Sequence, residues 1–457
     1  MAAVHNFIRR DVWKLPSADR TLHWYATAIS AMQARDPADP TSWHYQASIH
    51  GDPNSTAPRF NQCKHGSWNF LSWHRLYLYY FERIVRAAVV DAGGPSTWAL
   101  PYWNYEDGGN AAKLPTPFRQ PAAATNPLFV AQRRATYNAG LALLDKFTSS
   151  KSAMATAAFT AAHGATSFGG GQADDMLWMA SEPGAVEMAP HDVIHVRIGG
   201  HTGWMNDLSL AARDPIFWLH HANIDRLWTQ WLALGHGRAN PAGKWLHRKF
   251  SYFDEHGAAV HNTAADALET EMLHYSYADQ PAVPAHPHAA VSDRVPELVG
   301  SSAAPVELTG TAASVHVAVD ERARAGFAAQ LADGESPRIY LNLDDVRSDS
   351  APGTVYGVYV NVAQGAEPDD AHYAGTASFF GLGRAGSRGA DREHGYRLTY
   401  DITDLAAGLS ARGEWDGANV HVSFAPLDEE VPDDVDASPE SSGHAPVTVG
   451  RVSIFHG

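Results

Sequence analysis

The apolar residues of this chain follow one pattern before residues 280 to 297 and another after them, and this change constrains the fold more than any other feature. The stretch itself, QPAVPAHPHAAVSDRVPE, is rich in proline and lacks helical periodicity, which is typical of a linker. Apolar residues recur every three or four positions before it and tend to alternate after it. The sequence therefore predicts an α + β protein of two domains, with a mainly α domain over residues 1–279, a linker over 280–300 and a β-rich domain over 301–457.

Two segments of the first domain have the periodicity of long helices. One is WNFLSWHRLYLYYFERIVRAAVVDAGG, whose apolar residues recur at three- and four-residue steps from Phe70 to Val85 before Gly93 and Gly94 end it. The other is DPIFWLHHANIDRLWTQWLALG, which opens with Asp214 and Pro215, residues favoured at the N-cap and in the first turn. A third, shorter helix is expected around PHDVIHVR.

The second domain contains six short segments with strand character, among them SVHVAVD, PRIYLNLDDV and VTVGRVSIF. Their spacing, and the Gly, Pro and Asp residues between them, predict an antiparallel β-sandwich. Residues 427 to 444, LDEEVPDDVDASPESSGH, are acidic and polar and are expected to form a loop.

The charge balance restricts the partners of the protein. Fifty acidic and 34 basic residues give a net charge of -16, which disfavours binding to nucleic acid or to anionic membranes. No stretch of about 20 apolar residues is present that could cross a bilayer, and the N-terminus lacks the pattern of a signal peptide. We therefore expect a cytoplasmic protein, with export by a helper protein as the alternative; the sequence does not indicate an oligomeric state.

Histidine is unusually frequent, with 25 residues, and two groups of histidines stand out. His191 and His195 are four residues apart, a spacing that places both rings on one face of a helix, close enough to share a metal ion. His220 and His221 lie within an apolar helical segment and are candidates for a third ligand, because burying them without partners would be costly. Asp225 is placed to orient the His221 ring or to pair with Arg226 as outer support for the site.

The second group has a different spacing. His65 and His74 are nine residues apart, or two and a half helical turns, so one straight helix would point them in opposite directions. We therefore expect His65 in a loop and His74 on the helix that follows it. His50 supplies a third imidazole, with His44 as a competitor.

Neutral imidazoles without carboxylates suit copper better than calcium or magnesium, and two adjacent all-histidine sites are less natural for zinc. A zinc hydrolase is also disfavoured because the HxxxH pair lacks the glutamate of HExxH. The residues alone thus predict a two-metal histidine site in a helical core, with dioxygen chemistry as a hypothesis.

Four blocks of the sequence resemble the tyrosinase and polyphenol oxidase family of type 3 dicopper proteins. The blocks are HGSWNFLSWHRLYLYYFERI, LPYWNYE, PHDVIHVRIGG and AARDPIFWLHHANIDRLWTQW, and the similarity spans roughly residues 40 to 235. The resemblance implies an antiparallel four-helix bundle with a copper pair at its centre. The strand-rich half is similar, more loosely, to the domain that follows the catalytic domain in plant polyphenol oxidases.

Carried over residue by residue, the resemblance implies two sets of copper ligands. The CuA ligands are His50, His65 and His74, and the CuB ligands are His191, His195 and His221. His220 then supports the site without binding copper. The implied partners are dioxygen, phenols and catechols, and the implied activity is oxidation of o-diphenols to o-quinones, with hydroxylation of monophenols as in tyrosinases.

The resemblance also assigns roles around the copper pair. Glu187 matches a glutamate that holds a water near CuB, and Asp192 occupies a position from which it could help activate that water to deprotonate a phenol. Leu208 aligns with a bulky gate residue over CuA, with Met205 as the alternative gate.

Cys63, the only cysteine, lies two residues before His65. In fungal tyrosinases and molluscan hemocyanins a cysteine at this spacing is joined to the histidine by a thioether bond, so the resemblance implies a Cys63–His65 thioether here.

The C-terminal domain is predicted to shield the copper site and keep the enzyme latent. YAGTASFFGLG supplies three aromatic candidates for a plug, Tyr373, Phe379 and Phe380, which could equally pack inside the β domain. Two alternatives need the same six histidines: a hemocyanin-like dioxygen carrier, disfavoured by the lack of repeated domains, and an oxidase of o-aminophenols.

Overall fold

The computed structural model describes residues 7–173, 178–282, 295–322, 324, 337–383, 395–415, 417–427 and 445–457. Residues 283–294 of the predicted linker and residues 428–444 of the predicted acidic loop lie outside the described residues.

The part of the chain before the linker is mainly helical. Its α-helices are α1 (Thr21–Gln33), α2 (Trp43–His50), α3 (Phe70–Asp91), α4 (Thr116–Arg119), α5 (Ala135–Ala139), α6 (Asp145–Thr148), α7 (Lys151–Ala155), α8 (Val193–Gly199) and α9 (Pro215–Ala233). An irregular helical turn, Glu187–Asp192, leads directly into α8. Short strands β1 (Phe7–Arg9), β2 (Lys249–Phe253), β3 (Ala259–Thr263) and β4 (Tyr275–Tyr277) lie at the edges of this helical core.

The two long predicted helices are confirmed as α3 and α9. The Asp214 side chain caps α9 by accepting a hydrogen bond from the Ile216 N–H (3.0 Å), and Pro215 occupies the first helical position. Between the helices, the rings of Phe81 and Trp218 are stacked with their planes 9° apart. Such aromatic packing, buried from solvent, fixes the two helices against each other.

The part of the chain after the linker is β-rich. Its strands are β5 (Glu297–Ser302), β6 (Val306–Leu308), β7 (Ala313–Val319), β8 (Ile339–Arg347), β9 (Tyr356–Val360), β10 (Tyr373–Ala377), β11 (Tyr396–Asp401), β12 (Asn419–Pro426) and β13 (Val447–His456). One further helix, Thr403–Ala411, follows β11.

These nine strands pair antiparallel, in the order β10-β9-β12-β7-β5-β13-β8-β11, with β6 also on β13. The antiparallel pairing agrees with the sequence pattern. The hydrogen bonds link the described strands into one continuous sheet rather than the two separate sheets of the predicted sandwich, because the long strand β13 pairs with β5, β6 and β8.

Two hydrophobic clusters correspond to the helical and the β-rich parts of the chain. Direct hydrogen bonds hold the two parts together: the Arg397 N–H donates to the Ser181 carbonyl (2.8 Å), and the Arg397 guanidinium contacts the Glu182 carboxylate (3.0 Å). Phe380, which follows β10, belongs to the hydrophobic cluster of the helical part. The β-rich part thus inserts a side chain into the core of its neighbour. None of the helices in the described ranges is both long enough and apolar enough to span a membrane.

Candidate metal centre

Three buried histidines from the first half of the helical part form one cluster. His50 is the last residue of α2, His65 lies in the loop before α3, and His74 is in the first turns of α3. One nitrogen from each ring lies within 4.8 Å of the others. The expected placement of His65 in a loop and His74 on the helix is confirmed, and the partly exposed His44 is not in the cluster.

The second cluster contains four buried histidines, His191, His195, His220 and His221. The Nε2 atom of His221 lies 3.3 Å from the Nε2 atom of His191 and 3.3 Å from that of His195. Ligands at the corners of a tetrahedron about 2.0–2.1 Å from a metal, as imidazole nitrogens are from zinc, are about 3.3–3.4 Å apart. The Nε2 atom of His221 is therefore spaced from each of the other two as one ligand of a first-row metal ion is from another.

The two clusters lie side by side. The rings of His74 and His221 are stacked with their centroids 4.5 Å apart, and the His65 and His191 centroids are 5.6 Å apart. Helices α2, α3, α8 and α9 each contribute at least one of these histidines. The helical core thus holds two adjacent histidine triads.

Backbone carbonyls fix the tautomer of three rings. The Nδ1 atoms of His50, His74 and His195 lie 3.0, 2.8 and 2.7 Å from the carbonyl oxygens of Leu208, Phe70 and Met205, respectively. A carbonyl oxygen only accepts, so each Nδ1 carries the proton and each Nε2 presents a lone pair. This is the arrangement in which an outer hydrogen bond orients a metal-binding imidazole.

Burial keeps these imidazoles neutral. It lowers the pKa of His74 and of His195 to about 3, and it lowers the pKa values of His50, His65, His191 and His221 well below their usual value, with the neighbouring histidines adding to the effect. The buried Nε2 atoms of His50, His65 and His74 have no hydrogen-bond partner in the protein. Buried nitrogens of this kind are costly unless something binds them, and neutral imidazoles suit copper. The residues present therefore fit a copper ion in each triad.

The loop that carries His65 pairs with residues 178–180. The His65 N–H donates to the Trp178 carbonyl (3.2 Å), and the Ala180 N–H donates to the His65 carbonyl (2.9 Å). The Trp178 indole N–H contacts the sulfur of Cys63, which is fully buried. Neither nitrogen of the His65 ring has a hydrogen-bond partner in the protein. The backbone positions His65, but no hydrogen bond orients its ring.

Both predicted carboxylates are buried beside the second triad. Glu187 Oε1 accepts from the Gly66 N–H (2.7 Å), and its Oε2 atom has no partner. Asp192 Oδ1 lies 2.8 Å from Nδ1 of His191, and its Oδ2 accepts from the Tyr396 hydroxyl (3.3 Å). Burial raises the pKa of Glu187 to about 8 and raises that of Asp192 well above its usual range, with Glu187 adding to the rise. Bound cations would favour the ionised form of both groups.

The two gate candidates share the loop between α8 and α9, and both supply carbonyls to histidines. The Leu208 carbonyl accepts a hydrogen bond from His50 Nδ1, and the Met205 carbonyl accepts one from His195 Nδ1. A Cβ atom at Gly381 would lie 3.6 Å from Cδ2 of Leu208, which places this side chain beside the segment that follows β10. Of the two, Leu208 therefore lies next to the residues that cover the site.

Among the three plug candidates, Phe380 is the one at the histidines. Its ring is stacked on His195, with centroids 4.1 Å apart and planes 18° apart, and lies 5.7 Å from His191 and 6.0 Å from His65. The next residue, Gly381, has φ +82°, a conformation that favours glycine. Phe379 packs inside the β-rich cluster, so for this residue the plug role is wrong.

Tyr373 is not at the site either. Its hydroxyl contacts Thr376, and its ring lies 5.5 Å from that of Tyr359 on the neighbouring strand β9. The plug role is wrong for Tyr373 as well, because its ring packs against the neighbouring strand of the sheet and not against the histidines.

Asp225 does not play the part expected from its position in the sequence. Its carboxylate accepts hydrogen bonds from Arg75 (2.5 Å), Arg9 (3.2 Å), Tyr275 (2.5 Å) and Tyr277 (2.6 Å). Arg226 pairs instead with Asp279. The expectation that Asp225 orients His221 or pairs with Arg226 is therefore wrong: the carboxylate faces a separate buried ion-pair network, which ties α3 and α9 to β1 and β4.

His220 forms its side-chain contact with a different residue from those that His221 contacts. Its Nδ1 atom lies 3.3 Å from the Tyr105 hydroxyl, while its ring centroid is 5.4 Å from that of His191. The Nε2 contacts of His221 with both His191 and His195 favour His221 as the third member of the triad.

Trp178, Tyr105 and Tyr396 are among the residues beside the site that the sequence did not predict there. Tyr105 falls within the block LPYWNYE, so that block offered a signal for it. Tyr396 lies on β11, 204 residues away from Asp192, and its strand pattern gives no sign of a contact with a catalytic loop.

Family models match most of the chain. The common central domain of tyrosinase matches residues 40–234, the polyphenol oxidase middle domain matches residues 243–286, and a domain of unknown function matches residues 295–457. The first match covers both histidine triads, and the last covers the segment that carries Phe380.

Similar curated proteins carry the same family names as these domain matches. The chain is 32% identical to tyrosinase HcTyr1 of Hahella sp. (strain CCB-MM4), over 98% of both chains. It is also 32% identical to the chloroplastic polyphenol oxidase A1 of Vicia faba, over 57% of this chain and 46% of that protein. The chain therefore belongs to the tyrosinase and polyphenol oxidase family, whose members are type 3 dicopper oxidoreductases.

Solved structures share the fold over nearly the whole chain. Latent apple tyrosinase superposes with a TM-score of 0.66 at 22% identity, covering 99% of this chain and 97% of that one. Latent aurone synthase, a polyphenol oxidase, gives a TM-score of 0.66 at 20% identity, covering 99% of this chain and 89% of that one. The arrangement of a helical core with a following β-rich domain is thus the polyphenol oxidase fold.

Proposed function

We propose that this protein is a latent phenol oxidase that uses dioxygen to oxidise o-diphenols to o-quinones and also hydroxylates monophenols. The observation that carries the proposal is the pair of buried histidine triads: the Nε2 atoms of the first have no partner in the protein, and in the second His221 Nε2 faces those of His191 and His195. Bound copper supplies the redox chemistry with dioxygen. The chain holds the ligands, excludes water and accepts the phenolic proton.

The proposed ligands are the six histidines of the two triads, His50, His65 and His74 for CuA and His191, His195 and His221 for CuB. Helices α2, α3, α8 and α9 are proposed to form the antiparallel four-helix bundle implied by the family resemblance. Rigid helices suit the task, because a copper pair needs its ligands held at fixed distances.

Glu187 and Asp192 are the proposed proton acceptors. Both lie on the turn that leads into α8, and Oε2 of Glu187 is buried without a partner. Such an oxygen can hold a water molecule between itself and an entering phenol. A monophenol must lose its proton before it is hydroxylated, so this step depends on the acceptor more than catechol oxidation does.

Glu187→Gln is therefore expected to lower monophenol hydroxylation by about 100-fold, the scale of a general base, and to lower catechol oxidation much less. Initial rates on a monophenol and a catechol, taken after cleavage near residues 280 to 297, measure both. Glu255→Gln, which removes a carboxylate that pairs with Arg83 and belongs to neither histidine cluster, is the matched control. An equal loss on both substrates would exclude the assigned role.

We also propose the thioether between Cys63 and His65. Cys63 is fully buried and its pKa is raised well above the usual value by burial, so the sulfur is not a free surface thiolate. The bond would orient the one CuA imidazole that lacks a hydrogen bond. Forming it would remove the S–H and one ring C–H hydrogen, and dioxygen, the oxidant of the proposed reaction, would accept the two electrons and two protons to give hydrogen peroxide.

Copper-loaded protein is accordingly expected to be about two hydrogens lighter than the sequence mass, with no thiol titratable after unfolding. Protein produced and purified without copper should have the full mass and one thiol. Intact mass spectrometry with thiol titration measures this, and Cys63→Ser should show no mass loss under either condition. A titratable thiol in the copper-loaded protein would contradict the bond.

Latency is proposed because Phe380 covers three of the six histidines. A phenol ring entering the site would need the space that this ring occupies. Cleavage near residues 280 to 297, followed by release of the β-rich part, is expected to raise catechol oxidation. Unchanged activity after complete cleavage and release would contradict latency.

A dioxygen carrier remains the second candidate, because a covered copper site is also what a carrier needs. The decisive experiment is the addition of a catechol to copper-loaded protein before and after limited proteolysis. Quinone formation supports the oxidase; reversible dioxygen binding without quinone, even after cleavage, supports the carrier. Failure to bind about two copper ions per chain would refute both.

A further inference from the structure

The β-rich part reaches the candidate site at two separate points. Phe380, after β10, lies on the ring of His195, while Tyr396, the first residue of β11, reaches the carboxylate of Asp192. The first contact is a stack of aromatic rings, and the second is a hydrogen bond between a phenol and a carboxylate. The ring stack can control the entry of phenols, and the hydrogen bond can control the use of the carboxylate as a proton acceptor.

The hydroxyl of Tyr396 has an acceptor that the proposed reaction needs. Asp192 Oδ1 lies 2.8 Å from His191 Nδ1, so Oδ2 is the oxygen that can accept a hydrogen bond from another group. Tyr396 donates to this Oδ2 at 3.3 Å. Both side chains are buried, at 1% exposure for Asp192 and 4% for Tyr396, so water does not compete freely for the oxygen.

The second proposed acceptor, Glu187, lies within electrostatic range of the same hydroxyl. Burial raises the pKa of Tyr396 well above its usual value, and the charges of Asp192 and Glu187 raise it further. The hydroxyl therefore keeps its proton and remains a donor to the carboxylate. A tyrosine side chain is itself a monophenol, so its O–H donates to the same carboxylate oxygen that a substrate phenol would need.

We propose that Tyr396 determines substrate specificity in the latent protein: by donating to Asp192 it withholds the carboxylate from monophenols, while Phe380 blocks entry of all phenols. This inference rests on the proposed function. Removing Phe380 alone then opens the site to catechols and leaves hydroxylation restrained. Removing the Tyr396 hydroxyl as well frees Oδ2 and restores hydroxylation.

The test compares Phe380→Ala with the double variant Phe380→Ala/Tyr396→Phe in the uncleaved, copper-loaded chain. The ratio of monophenol hydroxylation to catechol oxidation is expected to rise about three- to tenfold in the double variant, the range expected for one hydrogen bond. The matched control is Phe380→Ala/Tyr400→Phe. Tyr400 lies on the same strand and is also buried, but its hydroxyl donates to the Thr376 carbonyl (3.1 Å), away from the histidines.

A second measurement does not depend on turnover. In variants loaded with zinc, which has no redox chemistry and whose charge favours the ionised form of Asp192, binding of phenol and of its methyl ether, anisole, is measured by calorimetry. Phenol binding relative to anisole binding should increase about three- to tenfold with Tyr396→Phe and not with Tyr400→Phe, because only phenol can donate to the freed oxygen.

The outcomes separate the two proposals. Quinone formation from catechol by Phe380→Ala, with no change in either ratio on adding Tyr396→Phe, overturns the role of Tyr396 and leaves the proposed function intact. Equal changes with Tyr400→Phe also overturn it, since a general loosening of β11 would then be the cause. No quinone from any variant, even after cleavage and with two copper ions bound, refutes the proposed function and the inference with it.

Discussion

Replacing His221 by glutamine is expected to leave a protein that binds one copper ion per chain instead of two and forms no quinone. The reason is geometric: His221 Nε2 is the atom that lies 3.3 Å from both His191 Nε2 and His195 Nε2. Without it, two imidazoles remain where a metal of this class takes at least three protein ligands. Copper content after dialysis and the rate of catechol oxidation measure the two effects.

The neighbouring histidine gives a matched control. His220→Gln removes an equally buried imidazole from the same helix, one whose Nδ1 atom contacts the Tyr105 hydroxyl. This variant is expected to retain two copper ions. If His220→Gln lost a copper ion while His221→Gln kept both, the third ligand of the CuB triad would be His220.

The effect of His221→Gln on folding can be separated from its effect on copper binding. His221 Nδ1 and His220 Nε2 are each buried without a hydrogen-bond partner in the metal-free protein. Losing the His221 ring costs the metal-free fold little beyond packing, whereas losing the His220 ring also leaves the buried Tyr105 hydroxyl without this contact. The melting temperatures of metal-free wild type and His221→Gln should therefore differ little, and a large gap between them is expected only after copper is added.

Phe380→Ala is expected to raise catechol oxidation by the uncleaved protein about tenfold or more. A buried phenylalanine contributes about 1.5–3 kcal/mol by burial and about 0.5–1.5 kcal/mol by stacking on an aromatic partner. A catechol ring must displace that contact, and every 1.4 kcal/mol is a tenfold change in the open fraction. Removing the ring leaves space for the substrate beside His195, so initial rates before and after cleavage should converge.

Phe379 is the control for this variant. It is as deeply buried, but it lies in the hydrophobic cluster of the β-rich part, where its ring centroid is 6.2 Å from that of Tyr356. Phe379→Ala should lower the free energy of unfolding by about 3–5 kcal/mol, the usual cost of such a cavity. If Phe379→Ala released activity while Phe380→Ala did not, loosening of the domain and not removal of a plug would explain latency.

Much of the site could be predicted from local sequence. The spacing of His191 and His195 placed two rings on one helical face, and Asp214 with Pro215 predicted the start of α9, which carries His221. The nine-residue separation of His65 and His74 required a loop and a helix. These inferences succeed because they depend on helical periodicity and capping, which act over a few residues.

Other assignments depended on contacts between distant segments, which one sequence does not reveal. Asp225 is four residues after His221, yet its carboxylate faces Arg9 and Arg75. Phe379 and Phe380 are adjacent, yet Phe380 packs in the helical core and Phe379 in the β-rich part.

The sequence by itself determined the two-part organisation, the long helices and the histidines able to bind metal, because hydrophobic period and ligand chemistry are properties of local residues. The tertiary structure decided how the parts meet: the β-rich sheet places Phe380 on His195 and Tyr396 on Asp192. Such contacts are set by the packing of one domain on another, and they join residues that are far apart in the chain.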